Sequence, residues 1–182
     1  MLTQPAALIG HSLGAMQIVK VAADSPAAVA CAVLEDPPLY AGERPETDFT
    51  QFRLMEGAAR SGMSVEQILA LWTAPPWMGQ ALQREYVGLT ELDPENLTVT
   101  IDLEATRGFD VDAHLARVSC PTLVIRAGGE GGALPQADLD RGLSHLARGI
   151  GVVIPRSGHQ VHAEQSAAFR RAVEDFLRVR AA

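Results

Sequence analysis

The chain is almost without lysine. Lys20 is the only one, and its 15 basic residues are outnumbered by 22 acidic ones, for a net charge of −7. An acidic chain with scattered arginines has no electrostatic attraction for nucleic acid or an anionic membrane surface. Neither is expected as a partner. Cysteine is equally scarce. Cys31 and Cys120 both sit in apolar, strand-like runs, which reads as small buried thiols in a reducing compartment. No C-x-x-C or other zinc spacing occurs, and neither a metal nor a cofactor is expected. No apolar run approaches the length of a membrane helix. No basic segment followed by a long apolar stretch marks a signal peptide, so the expected location is the cytoplasm. There is no internal repeat and no low-complexity tract. The stretch Gly128-Gly129-Glu130-Gly131-Gly132 invites a nucleotide-binding reading. It lacks the G-x-G-x-x-G spacing leading into a helix, and there is no P-loop lysine, so that reading is set aside.

What is present fits one domain with an appended lobe: 182 residues, 47% of them hydrophobic. The most informative stretch is Gly10-His11-Ser12-Leu13-Gly14. The apolar run Ala6–Ile9 leads into it as a short buried strand. The small-residue helix Ala15–Ala23 leads out. A G-x-S-x-G turn between strand and helix is the spelling that holds a serine hydroxyl up and exposed. The glycines on either side remove Cβ atoms from a crowded backbone. The helix start aims N–H groups and partial positive charge at the same place, which puts the Leu13 N–H where it can donate to an oxyanion.

Further along, Ala28–Leu34 is a continuous apolar run, as expected for a strand covered on both faces, and Asp36-Pro37-Pro38 stops it. The strand–helix rhythm then breaks. Helical patterns run over 49–60, 65–72, 80–92 and 94–107, with Ser64 and Gln67 spelling a capping box. The rhythm returns at Asp110, which can cap a helix to Arg117. Thr122–Arg126 is a strand, Gln136–Ala147 a helix, Gly151–Ile154 a strand and Glu164–Arg180 a final amphipathic helix.

Four pieces in order carry a resemblance: Leu8-Ile9-Gly10-His11-Ser12-Leu13-Gly14-Ala15, Val33-Leu34-Glu35-Asp36-Pro37, Cys120-Pro121-Thr122-Leu123-Val124-Ile125 and Ile154-Pro155-Arg156-Ser157-Gly158-His159. The chain resembles the C-terminal part of a capped, serine-nucleophile α/β-hydrolase. The fold this implies is α/β, a partial α/β-hydrolase of about four parallel strands with flanking helices. Residues 1–38 and 110–182 would form the core, and 39–109 a helical cap. A complete member has eight strands, and these four resemble the last four. The truncated sheet would leave Ala6–Ile9 as an open apolar edge that invites self-association.

The resemblance implies a Ser-His-acid triad. Ser12 would be the nucleophile. His159 would be the base, since it follows Ser12 in chain order and stands beyond the C-terminal end of a strand, where catalytic groups collect. The acid is open. The family usually takes it from the loop after Thr122–Arg126, but Gly128 stands there. Asp36, at the preceding strand end, ranks first, Glu130 second, and neither of them a close third. A metal site of His159, His162 and Glu164 is disfavoured for want of a further ligand cluster. His11 is expected to pack beside the turn, and His114 and His145 to lie on the surface. The second oxyanion donor of the family comes from a loop upstream of the turn that this sequence does not contain. The function implied is hydrolysis of a small hydrophobic ester or related acyl substrate. The alternative is an inactive hydrolase-like fragment or interaction protein lacking the N-terminal half of the fold.

Overall fold

A computed structural model describes residues 4–43, 56–57, 60–64, 67, 93 and 109–180. The chain divides into two compact units, Met1–Glu43 with Phe109–Ala182, and Arg44–Gly108. In the first, the elements run β1 (Ala6–His11), α1 (Leu13–Asp24), β2 (Val29–Glu35), α2 (Val111–Arg117), β3 (Thr122–Ala127), α3 (Gln136–His145), β4 (Gly149–Ile154), α4 (Val161–Glu164) and α5 (Ser166–Arg180).

The four strands pair in sequence order and all are parallel. Side chains alternate across a strand, and both faces of β2 are covered. Ala32 and Leu34 join Ile18, Val19 and Ala22 of α1, Leu115 of α2 and Leu139 of α3 in one core cluster. Cys31 and Val33 face the other way, with Leu123 and Ile125 of β3 and Val173 and Phe176 of α5. A continuous apolar run is what burial on both faces requires. Cys31 and Cys120 are both buried. β1 is an edge strand, paired with β2 alone among the described residues, and Ile9 is 51% exposed on it.

Register aligns the strand ends. His11 lies opposite Glu35, and Glu35 opposite Ile125. The residues just past β1, β2, β3 and β4 therefore open on one rim of the sheet, the carboxyl rim where parallel sheets gather their functional groups.

Two helix ends differ from the sequence expectation. α3 stops at His145 because Leu146 takes an extended backbone and is buried. The last helix starts at Ser166 rather than Glu164. Gln165 lies outside the helical region, and the Glu164 carboxylate turns back to accept the Gly158 and Gln160 N–H groups. Asp110 caps α2 by accepting the Ala113 N–H at 2.9 Å.

A polar clasp ties the segment after β2 to α2 and α3. The buried Tyr40 hydroxyl donates to Asp112 Oδ1 at 2.7 Å. Arg141 reaches Asp112 Oδ2 and Glu43 Oε2, each at 2.7 Å, and lies 3.9 Å above the Tyr40 ring. Burial, and then the Asp112 acceptor, push the Tyr40 phenol well above its ordinary value.

In the second unit one local expectation falls on described residues. Ser64 and Gln67 exchange hydrogen bonds, Ser64 N–H to Gln67 Oε1 at 2.8 Å and Gln67 N–H to Ser64 Oγ at 3.3 Å, the reciprocal pair of a capping box. The helices expected across 49–107, and the cap residues among them, otherwise lie largely outside the described residues. No helix of the described residues is long and apolar enough to cross a membrane.

Candidate active site

Ser12 stands at the cap position of α1, between β1 and the helix. A serine there ordinarily bends its hydroxyl back to the helix N–H groups. This one makes no such bond. Its backbone is left-handed, with φ 53° and ψ −122°, a conformation that costs a non-glycine residue free energy and persists only where the surroundings enforce it. The enforcement is visible. Ser12 N–H is held by the Glu35 carbonyl at 2.9 Å, and its own carbonyl takes the Ala15 N–H at 3.0 Å. Gly10 lets strand and helix meet. A Cβ there would sit 2.7 Å from the Gly14 backbone and the Ile18 side chain. Gly14 corrects the sequence expectation, since no described atom lies within 4 Å of where its Cβ would be. Its part in the turn is as the backbone against which Gly10 packs. Leu13 opens α1, so its N–H has no acceptor within the helix.

The freed hydroxyl meets His159, with Ser12 Oγ 2.9 Å from Nε2. The other ring nitrogen, Nδ1, lies 2.8 Å from Asp36 Oδ2. A carboxylate only accepts, so Nδ1 carries the proton and Nε2 is left bare to receive the serine O–H. Asp36 is fully buried and also has a left-handed backbone, with φ 42°. It accepts Ala127 N–H at 3.1 Å on Oδ1 and Ala133 N–H at 2.6 Å on Oδ2. Burial alone would raise its pKa. The hydrogen bonds from His159, Ala133 and Ala127 outweigh burial and hold the carboxyl below its ordinary value.

Glu130 is exposed, and no hydrogen bond joins it to His159 among the described residues. Gly128 donates its N–H to the Ile154 carbonyl at 2.9 Å, and a Cβ there would lie 2.7 Å from that oxygen. The backbone approach leaves no room for any side chain at that position. His159, His162 and Glu164 do not converge on a common point. Glu164 is occupied by Gly158 N–H at 2.7 Å, and His162 by Glu35.

Two features escaped the sequence. Glu35, 2% exposed, accepts both the backbone N–H of His162 at 2.7 Å and its ring Nδ1–H at 2.9 Å. His11 does more than fill space, since its Nε2–H donates to the His159 carbonyl at 2.9 Å. A buried glutamate at a strand end and a second histidine three residues after the first were the available signals. His114 stacks on Phe109, and His145 lies 3.3 Å from Asp112, both away from this rim.

Comparison with known proteins bears on the family and the fold. The model of the alpha/beta hydrolase family matches residues 2–172. A protein named for carbamate hydrolysis, RutD of Variovorax paradoxus, is 28% identical over 185 aligned positions, covering 93% of this chain and 65% of its own. The structure of an N-formylmaleamic acid deformylase from Pseudomonas putida superposes with a TM-score of 0.73 at 17% identity, over 93% of this chain and 66% of that one. An enol-lactonase from Burkholderia xenovorans gives 0.65 at 22% identity, over 95% and 65%. The chain thus spans a little under two thirds of each of these relatives, and the two structural likenesses speak to fold.

Proposed function

The chain belongs to the alpha/beta hydrolase family, and from that membership we propose that it is a serine hydrolase acting on a small hydrophobic ester or related acyl compound, with Ser12 as nucleophile, His159 as general base and Asp36 as the acid that orients it. The observation that carries this reading is the chain of two short hydrogen bonds, Ser12 Oγ to His159 Nε2 at 2.9 Å and His159 Nδ1 to Asp36 Oδ2 at 2.8 Å.

The chemistry follows from that order. Ser12 Oγ attacks the substrate carbonyl carbon as its proton passes to His159 Nε2. The resulting imidazolium is stabilised by Asp36, which also fixes the tautomer. Negative charge grows on the carbonyl oxygen and is met by the Leu13 N–H at the positive end of α1. His159 returns the proton to the leaving group, and the acyl–Ser12 ester is then hydrolysed by water activated at the same nitrogen. The names of the relatives favour an acyl substrate over other hydrolase chemistry. A carbamate, an N-formyl amide and an enol-lactone each present a carbonyl carbon bonded to nitrogen or oxygen. In this reading the separate unit Arg44–Gly108 is the family's cap, and Leu39 to Glu43, expected in the cap, belong to the sheet-bearing unit.

An alkyl fluorophosphonate tests the reading directly. Attack forms the Ser12 Oγ–P bond and breaks the P–F bond. Fluoride leaves, and the serine proton goes to His159. Intact mass should show one adduct on the folded chain and none on Ser12→Ala, with labelling strongly slowed in His159→Ala. A folded chain that takes no adduct would favour the second reading, an inactive or interacting hydrolase-like protein. Among the described residues β1 pairs with β2 alone, an edge open to another chain, which favours the interacting form of that reading. It also supports self-association of two copies through Ala6–Ile9.

A further inference from the structure

We propose that His11 is a positioning residue for His159, locking the base to the turn that carries the nucleophile. This rests on the hydrolase reading above. The geometry is a closed loop of contacts. Ser12 is held by the His159 ring at 2.9 Å, and the residue beside it, His11, holds the His159 backbone carbonyl at 2.9 Å. No other hydrogen bond to that carbonyl is present among the described residues. A shift of the histidine loop along the rim would therefore stretch both bonds together. The bond from His11 reports on the main chain of residue 159, and the bond from Ser12 on its side chain.

The loop is pinned on both sides of His159 as well. Gly129 N–H holds the Ser157 carbonyl at 2.8 Å. Glu35 holds His162 by its backbone N–H. Arg156, three residues before His159, has a left-handed backbone with φ 57°, so the loop needs such restraint to keep its shape. His11 supplies the restraint nearest the reacting nitrogen.

His11 serves this role as a neutral ring. Its neighbours are Glu35, opposite it on β2, the His159 ring with centroids 4.4 Å apart, the His162 ring of α4 at 5.4 Å, and Asp36 beyond His159. Burial, and then the charge of a protonated His159, hold the His11 pKa below its ordinary value. Neutral His11 keeps the Nε2–H that the carbonyl needs and does not repel the imidazolium formed when His159 takes the serine proton. Protonated His11 would repel it.

The test is the second-order rate of fluorophosphonate labelling, read by intact mass across pH in wild type, His11→Phe and His11→Gln, with circular dichroism to confirm the fold. Glutamine places an amide N–H near the position of Nε2 and does not titrate. Phenylalanine keeps a ring and loses the donor. The loss of one neutral hydrogen bond corresponds to about a five- to tenfold slowing in His11→Phe, and His11→Gln should recover most of it. At acid pH the wild-type rate should fall more steeply than the His11→Gln rate. His11→Phe labelled at the wild-type rate, or His11→Gln as slow as His11→Phe, overturns the role of His11 alone. Should His11→Phe fail to fold, an acid fall in His11→Gln as steep as that of wild type overturns it. A wild type that takes no label overturns both this role and the hydrolase reading.

Discussion

Glu35 and Asp36 are neighbours in the chain and hold two different histidines three residues apart. Glu35 takes His162 at 2.9 Å, and Asp36 takes His159 at 2.8 Å. In a regular strand, adjacent side chains point to opposite faces. Here β2 ends at Glu35, and the left-handed backbone of Asp36 turns the second carboxylate along the same rim. One strand end thus supports both the ring of His159 and the start of the helix that follows it.

The two candidate acids separate by substitution. Asp36→Asn should slow fluorophosphonate labelling by roughly ten-thousandfold if the orienting role matches that of the serine-protease aspartate, because an amide in place of the carboxylate allows the wrong tautomer. Glu130→Gln should label at the wild-type rate. The opposite pattern would move the acid to Glu130.

Restoring the carboxylate that the family usually carries should fail. Gly128→Asp puts a Cβ 2.7 Å from the Ile154 oxygen and 3.0 Å from the Pro155 Cα, both backbone atoms. It should cost about 1–3 kcal/mol of stability as overpacking, measured by denaturant unfolding. The double variant Asp36→Asn/Gly128→Asp should be no faster than Asp36→Asn. Recovered labelling would show that the loop can open to admit a second acid.

Stability should fall toward acid in two stages. His11 has a folded pKa below its ordinary 6.5. Its contribution is nil above 6.5, and a growing penalty appears as pH falls from there to the folded value, because the unfolded chain binds the proton more readily. Asp36 has a folded pKa below its ordinary 3.8. Its stabilisation is complete above 3.8 and is lost as pH falls through the folded value. Melting temperature against pH should therefore flatten in its upper part for His11→Gln and in its lower part for Asp36→Asn. A His11→Gln curve parallel to wild type between 6.5 and 3.8 would remove His11 from the account.

The edge of β1 offers a surface test. Two copies pairing through Ala6–Ile9 would give a dimer by light scattering, and Ile9→Lys, a charge on a half-exposed edge position, should return it to monomer. A wild-type chain that is already monomeric at every concentration would end this proposal.

Local chemistry was legible in the sequence, and contacts between distant segments were not. Ser12 stands out because a strand, a glycine and a small-residue helix surround it within a dozen positions. His159 stands out because Gly-His follows a strand. Between Asp36 and Glu130 the spelling could not decide. The choice depends on where Ala127 and Ala133 point their N–H groups, and on the closeness of Gly128 to Ile154, neither of which has a sequence signature. The donation from His11 to His159 joins residues 148 positions apart, and only the parallel register of β1 and β2 brings His11 to the rim. The break at Gln165 was hidden because an amphipathic pattern continues straight through it. There the pull of Glu164 toward the Gly158 N–H wins over helix propensity.

The clasp of Tyr40, Glu43, Asp112 and Arg141 has a bearing on how such a protein can diversify. It joins the point where the chain departs, at Glu43, to the first helix after its return at Phe109, using side chains that all belong to the sheet-bearing unit. The ends of the intervening stretch are thus held together independently of what that stretch contains. Closing a flexible loop costs only about 0.6 kcal/mol more for each doubling of its length. With both ends held by the clasp, a change in the length of chain between them adds little to the cost of bringing Glu43 and Phe109 together.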